Sequence, residues 1–168
     1  MKNLKQHKHL KILSLFTILL LFINCDNDDD NISQQPWESE VALLKAAIQQ
    51  YKDFDTAENA GYNIKATEYR EQMGYHYLNA GLLDGKFEIE KPEVLIFVNG
   101  PSGKLQLVAV EYGIPITDLN NPPPAPDGYT GNDDVWKVDT EFSLWTLHVW
   151  IELENPNGIF TARNPVLP

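Results

Sequence analysis

Residues 93–98 read Glu-Val-Leu-Ile-Phe-Val, an almost unbroken apolar run, and residues 105–112 form a second one. Between them stands Asn99-Gly100-Pro101-Ser102-Gly103. Glycine, proline and asparagine in such a cluster supply the backbone angles of a tight reversal, so residues 93–112 predict a β-hairpin. Once two apolar strands are paired this way, the rest of the chain must cover both of their faces. Two more stretches fit the same sheet. Residues 75–78 predict a short strand and residues 142–153 a long final one. Residues 114–126 carry five prolines and cannot be a central strand. Residues 120–134 therefore read as a long surface loop.

Ahead of the strands the period changes. Trp37, Val41, Leu44, Ile48, Tyr51 and Phe54 recur at helical spacing and form one apolar face. Asp55-Thr56-Ala57-Glu58 reads as a capping box opening a second short helix, which Gly61 would close. A further helical turn is expected within residues 67–73. Helices first and strands afterwards predict an α+β fold, with amphipathic helix packed on a curved antiparallel sheet. A curved sheet around a helix and a partly closed barrel both satisfy the pattern.

The N-terminus has a different character. Lys2, Lys5, Lys8 and Lys11 precede or open an apolar run of 12 residues, 12–23, broken only by Ser14 and Thr17. A membrane-spanning helix needs about 20 residues, so this length suits a signal-peptide core instead. Leu21-Phe22-Ile23-Asn24-Cys25 resembles a bacterial lipoprotein signal, with Cys25, the single cysteine of the chain, as the lipidated residue. Asn24 departs from the small residue usual before that cysteine. The acidic stretch Asp26-Asn27-Asp28-Asp29-Asp30 reads as a solvated tether and resembles an export tag of surface lipoproteins. The expected organisation is a signal peptide over residues 1–24, a tether over 25–35 and one domain over 36–168. The expected location is the outer membrane, held by a lipid anchor at Cys25 and exposed at the cell surface or to the periplasm.

Charge removes one class of partner. The chain carries 24 acidic and 13 basic residues, and beyond residue 24 only 9 of the basic ones remain. Such a surface repels phosphate backbones, which argues against nucleic-acid binding. One cysteine also excludes an internal disulfide and a cysteine-based zinc site.

No phosphate-binding loop, dinucleotide fingerprint, HExxH or nucleophile elbow is present. Ser102 is explained by its turn. Beyond the leader only two histidines remain, His76 and His148, both in predicted strands with aromatic neighbours. Glu111 is the natural third member. On a regular strand it shares a face with the apolar Leu105, Leu107 and Ala109, where a carboxylate is costly unless paired, ligated or at the strand end beside solvent. Two histidines and one carboxylate form a recognised ligand set for iron and can also hold zinc or copper. Whether the three converge depends on strand register, which sequence does not reveal. Glu68 and Glu141 are possible fourth ligands. Tyr75, Tyr77 and Trp150 are candidate walls of a ligand pocket, since Trp150 alternates onto the same side of its strand as His148.

Met73-Gly74-Tyr75-His76-Tyr77-Leu78-Asn79, Lys91-Pro92-Glu93-Val94-Leu95-Ile96, Leu107-Val108-Ala109-Val110-Glu111-Tyr112, Leu147-His148-Val149-Trp150 and Asn155-Pro156-Asn157-Gly158-Ile159-Phe160 form an ordered set. Together they resemble a family of secreted or lipid-anchored bacterial proteins of unknown function. The resemblance spans roughly residues 40–165 and implies a shared fold without an activity. The sequence therefore leaves three functions open. These are a lipoprotein with a mononuclear divalent-metal site, a metal-free binder of a small ligand, and an accessory protein of an envelope complex with a protein partner.

Overall fold

The computed structural model describes residues 34–168. The signal peptide, Cys25 and most of the tether lie outside the described residues. Among the described residues no helix is long and apolar enough to cross a membrane.

Helix α1 (Glu38–Ile48) runs into a 3-10 turn at Gln49–Lys52 and then α2 (Phe54–Asn59). Six strands follow: β1 (Ile64–Lys65), β2 (Tyr75–Leu78), β3 (Val94–Asn99), β4 (Leu105–Pro115), β5 (Lys137–Asp139) and β6 (Leu144–Trp150). All pairings are antiparallel, in the order β1-β2-β3-β4-β6-β5. The fold is α+β, as the change of period predicts. The sheet is open and does not close into a barrel.

The helical stripe does what its spacing requires. Val41, Leu44 and Ile48 are buried against Leu95, Phe97, Leu107, Val110, Tyr112, Leu147 and Val149 on one face of the sheet. The opposite face gathers Val94, Ile96, Val108, Ala109 and Trp150, covered in part by Leu153, Ile159 and Leu167 of the returning C-terminal chain.

Several local expectations need correction. The second helix begins at Phe54, not within Asp55-Thr56-Ala57-Glu58. Phe54 stacks edge-on against Tyr77 and Phe97, and Asp53 stands at the cap, accepting from Thr56 Oγ1 at 2.7 Å. Gly61 does follow the helix end, with φ +106°. Residues 67–73 form no helical turn. Gln72 has φ +61°, its N–H donates to the Pro168 carbonyl, and its own carbonyl accepts from Asn164 N. Met73 N and Gly74 N close a tight turn on the Arg70 carbonyl, and the C-terminal chain pins that turn from outside. The last strand stops at Trp150 because Trp150 N bonds to Ile159 O, turning the chain back over the sheet.

The most consequential departure is in β4. Ile96 pairs with Ala109, yet Phe97 pairs with Leu107, so Val108 is an extra residue. A β-bulge of this kind shifts the alternation by one residue and bends the strand. Leu105 and Leu107 therefore pack on the helix side, while Val108 and Ala109 both reach the other face. Glu111 shares its face with Ala109 but not with Leu105 and Leu107, contrary to the regular alternation. It is lifted away from the main core.

Candidate metal centre

Glu111 and His148 are directly opposite each other in the β4–β6 ladder, so their side chains leave the sheet on the same side. His76 lies on β2, opposite Ile96. Three strand spacings separate β2 from β6, roughly 14 Å on a flat sheet. The two imidazole centroids are nevertheless only 5.7 Å apart. Curvature of the sheet closes that gap and brings all three side chains to one point.

His76 Nε2 stands 3.5 Å from His148 Nε2 and 3.7 Å from Glu111 Oε2. His148 Nδ1 stands 3.5 Å from Glu111 Oε1. One ligand atom from each residue can be chosen so that all lie within 4.8 Å of one another. These separations exceed the usual hydrogen-bond range of about 2.7–3.2 Å. They involve different atoms of His148 and Glu111; with one atom from each residue the spread of up to 4.8 Å exceeds the ~3.4 Å edge of a tetrahedron with bonds of about 2.1 Å, so the side chains would draw in slightly around an ion. The group can hold a metal ion.

The electrostatics suit that role. Burial pushes the His76 pKa down to about 4 and that of His148 down to about 3. Both imidazoles are then neutral at neutral pH, the form that binds metals. Burial also raises the Glu111 pKa, against the opposing pull of His76. A buried carboxylate beside two neutral rings is poorly compensated until a cation joins it.

Supporting contacts orient the ligands. Thr67 Oγ1 lies 3.0 Å from His76 Nδ1. The Gly74 carbonyl, which only accepts, also favours a proton on this ring. In the tautomer whose Nδ1 donates to Thr67 Oγ1, Nε2 keeps its lone pair for the centre. Thr146, two residues before His148 on the same face, lines the cavity with Glu111, its hydroxyl donating to the Lys137 carbonyl at 3.5 Å. Gly74 is required where it stands. Its φ is +103° and an added Cβ would meet the Phe97 carbonyl oxygen at 2.7 Å. We expect Thr67→Val to leave the fold intact and weaken metal retention about 10–100-fold, the usual cost of losing such a partner. Competition with a chromophoric chelator measures it.

A cavity of about 290 Å³ opens beside the centre. His76 and Glu111 form part of its wall, with Ile64, Leu78, Val94 and Leu144 around them. Residues from β1 and from β5 both line it, so the two edges of the sheet approach each other here without pairing. Arg70 lies at the rim and pairs with Asp139 and Glu141 across the opening.

The other sequence candidates lie elsewhere. Glu68 and Glu141 have side chains 87 % and 66 % exposed and pair with Lys65 and Arg70, so neither joins the ligands. Tyr75, Tyr77 and Trp150 do not line the cavity. Alternation directs Tyr75 and Tyr77 to the side opposite His76, and Tyr77 packs on Phe54 and Phe97. Trp150 does share the face of His148, but the returning chain seals it, and its Nε1 donates to the Thr161 carbonyl at 2.6 Å. Asp133, in the loop before β5, accepts from Trp37 Nε1 at 2.7 Å.

Sequence reasoning missed Thr67, Arg70 and Thr146. Only Thr146 left a signal, its two-residue spacing from His148. It also missed Glu93, 1 % exposed on the helix side, which accepts from Gly113 N at 3.0 Å. No protein-family model, curated protein or solved structure matches this chain. The chemistry of the site therefore rests on its own residues.

Proposed function

We propose that this protein is an envelope lipoprotein, tethered through Cys25, whose domain binds one divalent first-row metal ion between His76, Glu111 and His148. The observation that carries this reading is the spacing of three nearly buried donor groups. One ligand atom from each lies within 4.8 Å of the others, close enough to share an ion. The set contains two imidazoles and one carboxylate, donors that suit zinc, iron and copper. Three protein ligands beside a cavity leave a coordination position for an exogenous molecule, which is how catalytic metal sites differ from closed structural ones.

The test is elemental analysis of the full-length protein, purified in detergent without a chelator and dialysed against zinc, iron(II) or copper(II). We expect one ion per chain for at least one metal, and its loss in His76→Ala and in His148→Ala. Binding at a hundred times the dissociation constant should stabilise the fold by about 2.7 kcal/mol, visible as a higher Tm. Absence of retained metal under all three conditions would overturn the reading and leave the cavity as a metal-free ligand pocket. The anchor is tested separately. Cys25→Ala should move the protein from the membrane fraction to the soluble fraction, and retention in the membrane would refute lipidation there.

A further inference from the structure

Resting on the metal reading above, we infer that the cavity receives a small monocarboxylate with an apolar body, its carboxylate completing the metal coordination and its body lying against the cavity wall. The argument begins with charge. Two neutral imidazoles, one carboxylate and one divalent ion sum to a single positive charge at the buried inner end of the cavity. An uncompensated buried charge is expensive, so the remaining ligand should be a monoanion. A neutral ligand would leave the charge in place, and a dianion would reverse it.

The protein has no free anion to offer from the cavity wall. Asp139 is the other carboxylate lining it. Its Oδ1 is held by Glu141 N at 2.8 Å and Phe142 N at 3.1 Å, and its Oδ2 faces Arg70. The compensating anion must come from outside. Hydroxide alone would neutralise the charge but leave the apolar surface bare. Ile64 and Phe142, which line the cavity, remain 45 % and 41 % exposed. Leu78, Val94 and Leu144 continue that surface inward. An aliphatic chain on the anion would cover it. At about 290 Å³ the space lies at the small end of the range for organic ligands, roughly 300–1,000 Å³, which favours a short chain over a long one.

The experiment is calorimetric titration of hexanoate into the zinc-loaded full-length protein, with zinc content measured on the same sample. One hexanoate should bind per chain, at least tenfold more tightly than acetate, hexanol or hexyl phosphate, and at least tenfold more tightly than to the metal-free protein. Leu144→Trp and Ala66→Phe fill the cavity from two sides. Each should abolish hexanoate binding while retaining zinc, which also reports that the fold is intact. Stoichiometric zinc without hexanoate binding would overturn this inference and leave the metal reading standing. So would equal binding of hexanoate and acetate, or equal binding with and without zinc. Failure to load zinc, iron(II) or copper(II) would remove the metal reading and this inference with it.

Discussion

Glu111→Gln should make the metal-free protein more stable at pH 8 and lower its metal affinity by well over ~100-fold, more than the loss of a merely supporting partner costs. The two effects have one cause. In the metal-free fold the Glu111 carboxylate is withdrawn from water, and this burial raises its pKa. A group whose pKa is raised by folding contributes stability below its unfolded pKa and loses it as pH climbs through the folded value. At pH 8 the penalty is therefore present. Glutamine has nearly the same shape and carries no charge to desolvate. It also supplies no negative charge to a divalent ion. Thermal unfolding in EDTA, paired with metal content after dialysis, reads both effects. If Glu111 were simply the hub of a structural hydrogen-bond cluster, the variant would unfold at lower temperature in EDTA. That result would count directly against a metal centre, because a buried acid retained at a cost to the empty fold is what a ligand would show.

Glu93→Gln should gain stability over the native protein as pH rises, reaching roughly 3 kcal/mol near pH 8. Glu93 is on the helix side of the sheet, away from the metal centre. Burial raises its pKa to about 7, although its Oε2 accepts from Gly113 N. The unfolded chain titrates this group near 4.5. Between those two values the folded state holds the extra proton, so the native protein loses stability as pH rises through that window. The variant lacks this contribution. The two histidines act in the opposite sense. Their folded pKa values are depressed, so stability falls as pH drops below about 6.5 and the unfolded chain takes up protons. Both proteins share that histidine contribution, and it cancels in the comparison. Urea unfolding of the two proteins at pH 5 and pH 8 isolates Glu93. A stability difference that does not change between these pH values would show that Glu93 ionises as freely in the fold as in the unfolded chain.

Much of the architecture was legible because local chemistry and periodicity agree. The turn at Asn99–Gly103 and the apolar runs beside it name the β3–β4 hairpin, and the stripe from Val41 to Ile48 names α1 and its buried face. Strands β1 and β5 escaped notice because two or three residues carry no period. The segment from Thr67 to Met73 was misread because its conformation is imposed by hydrogen bonds from residues near the C-terminus. Local propensity contains no record of those bonds.

The candidate centre divides in the same way. The sequence by itself determined the donor types: two histidines in strands, one glutamate at the end of an apolar run, and no cysteine beyond Cys25. Those identities limit the metals, and the acidic balance limits the partners. Convergence was decided only by the tertiary structure. The extra residue at Val108 turned Glu111 away from Leu105 and Leu107, and the register set it opposite His148. The curl of the sheet then carried His76 across three strand spacings to within 3.5 Å of His148. Bulges, register and curvature arise from packing between residues distant in the chain. A pattern of neighbours cannot encode them, and they alone turn three separate side chains into one site.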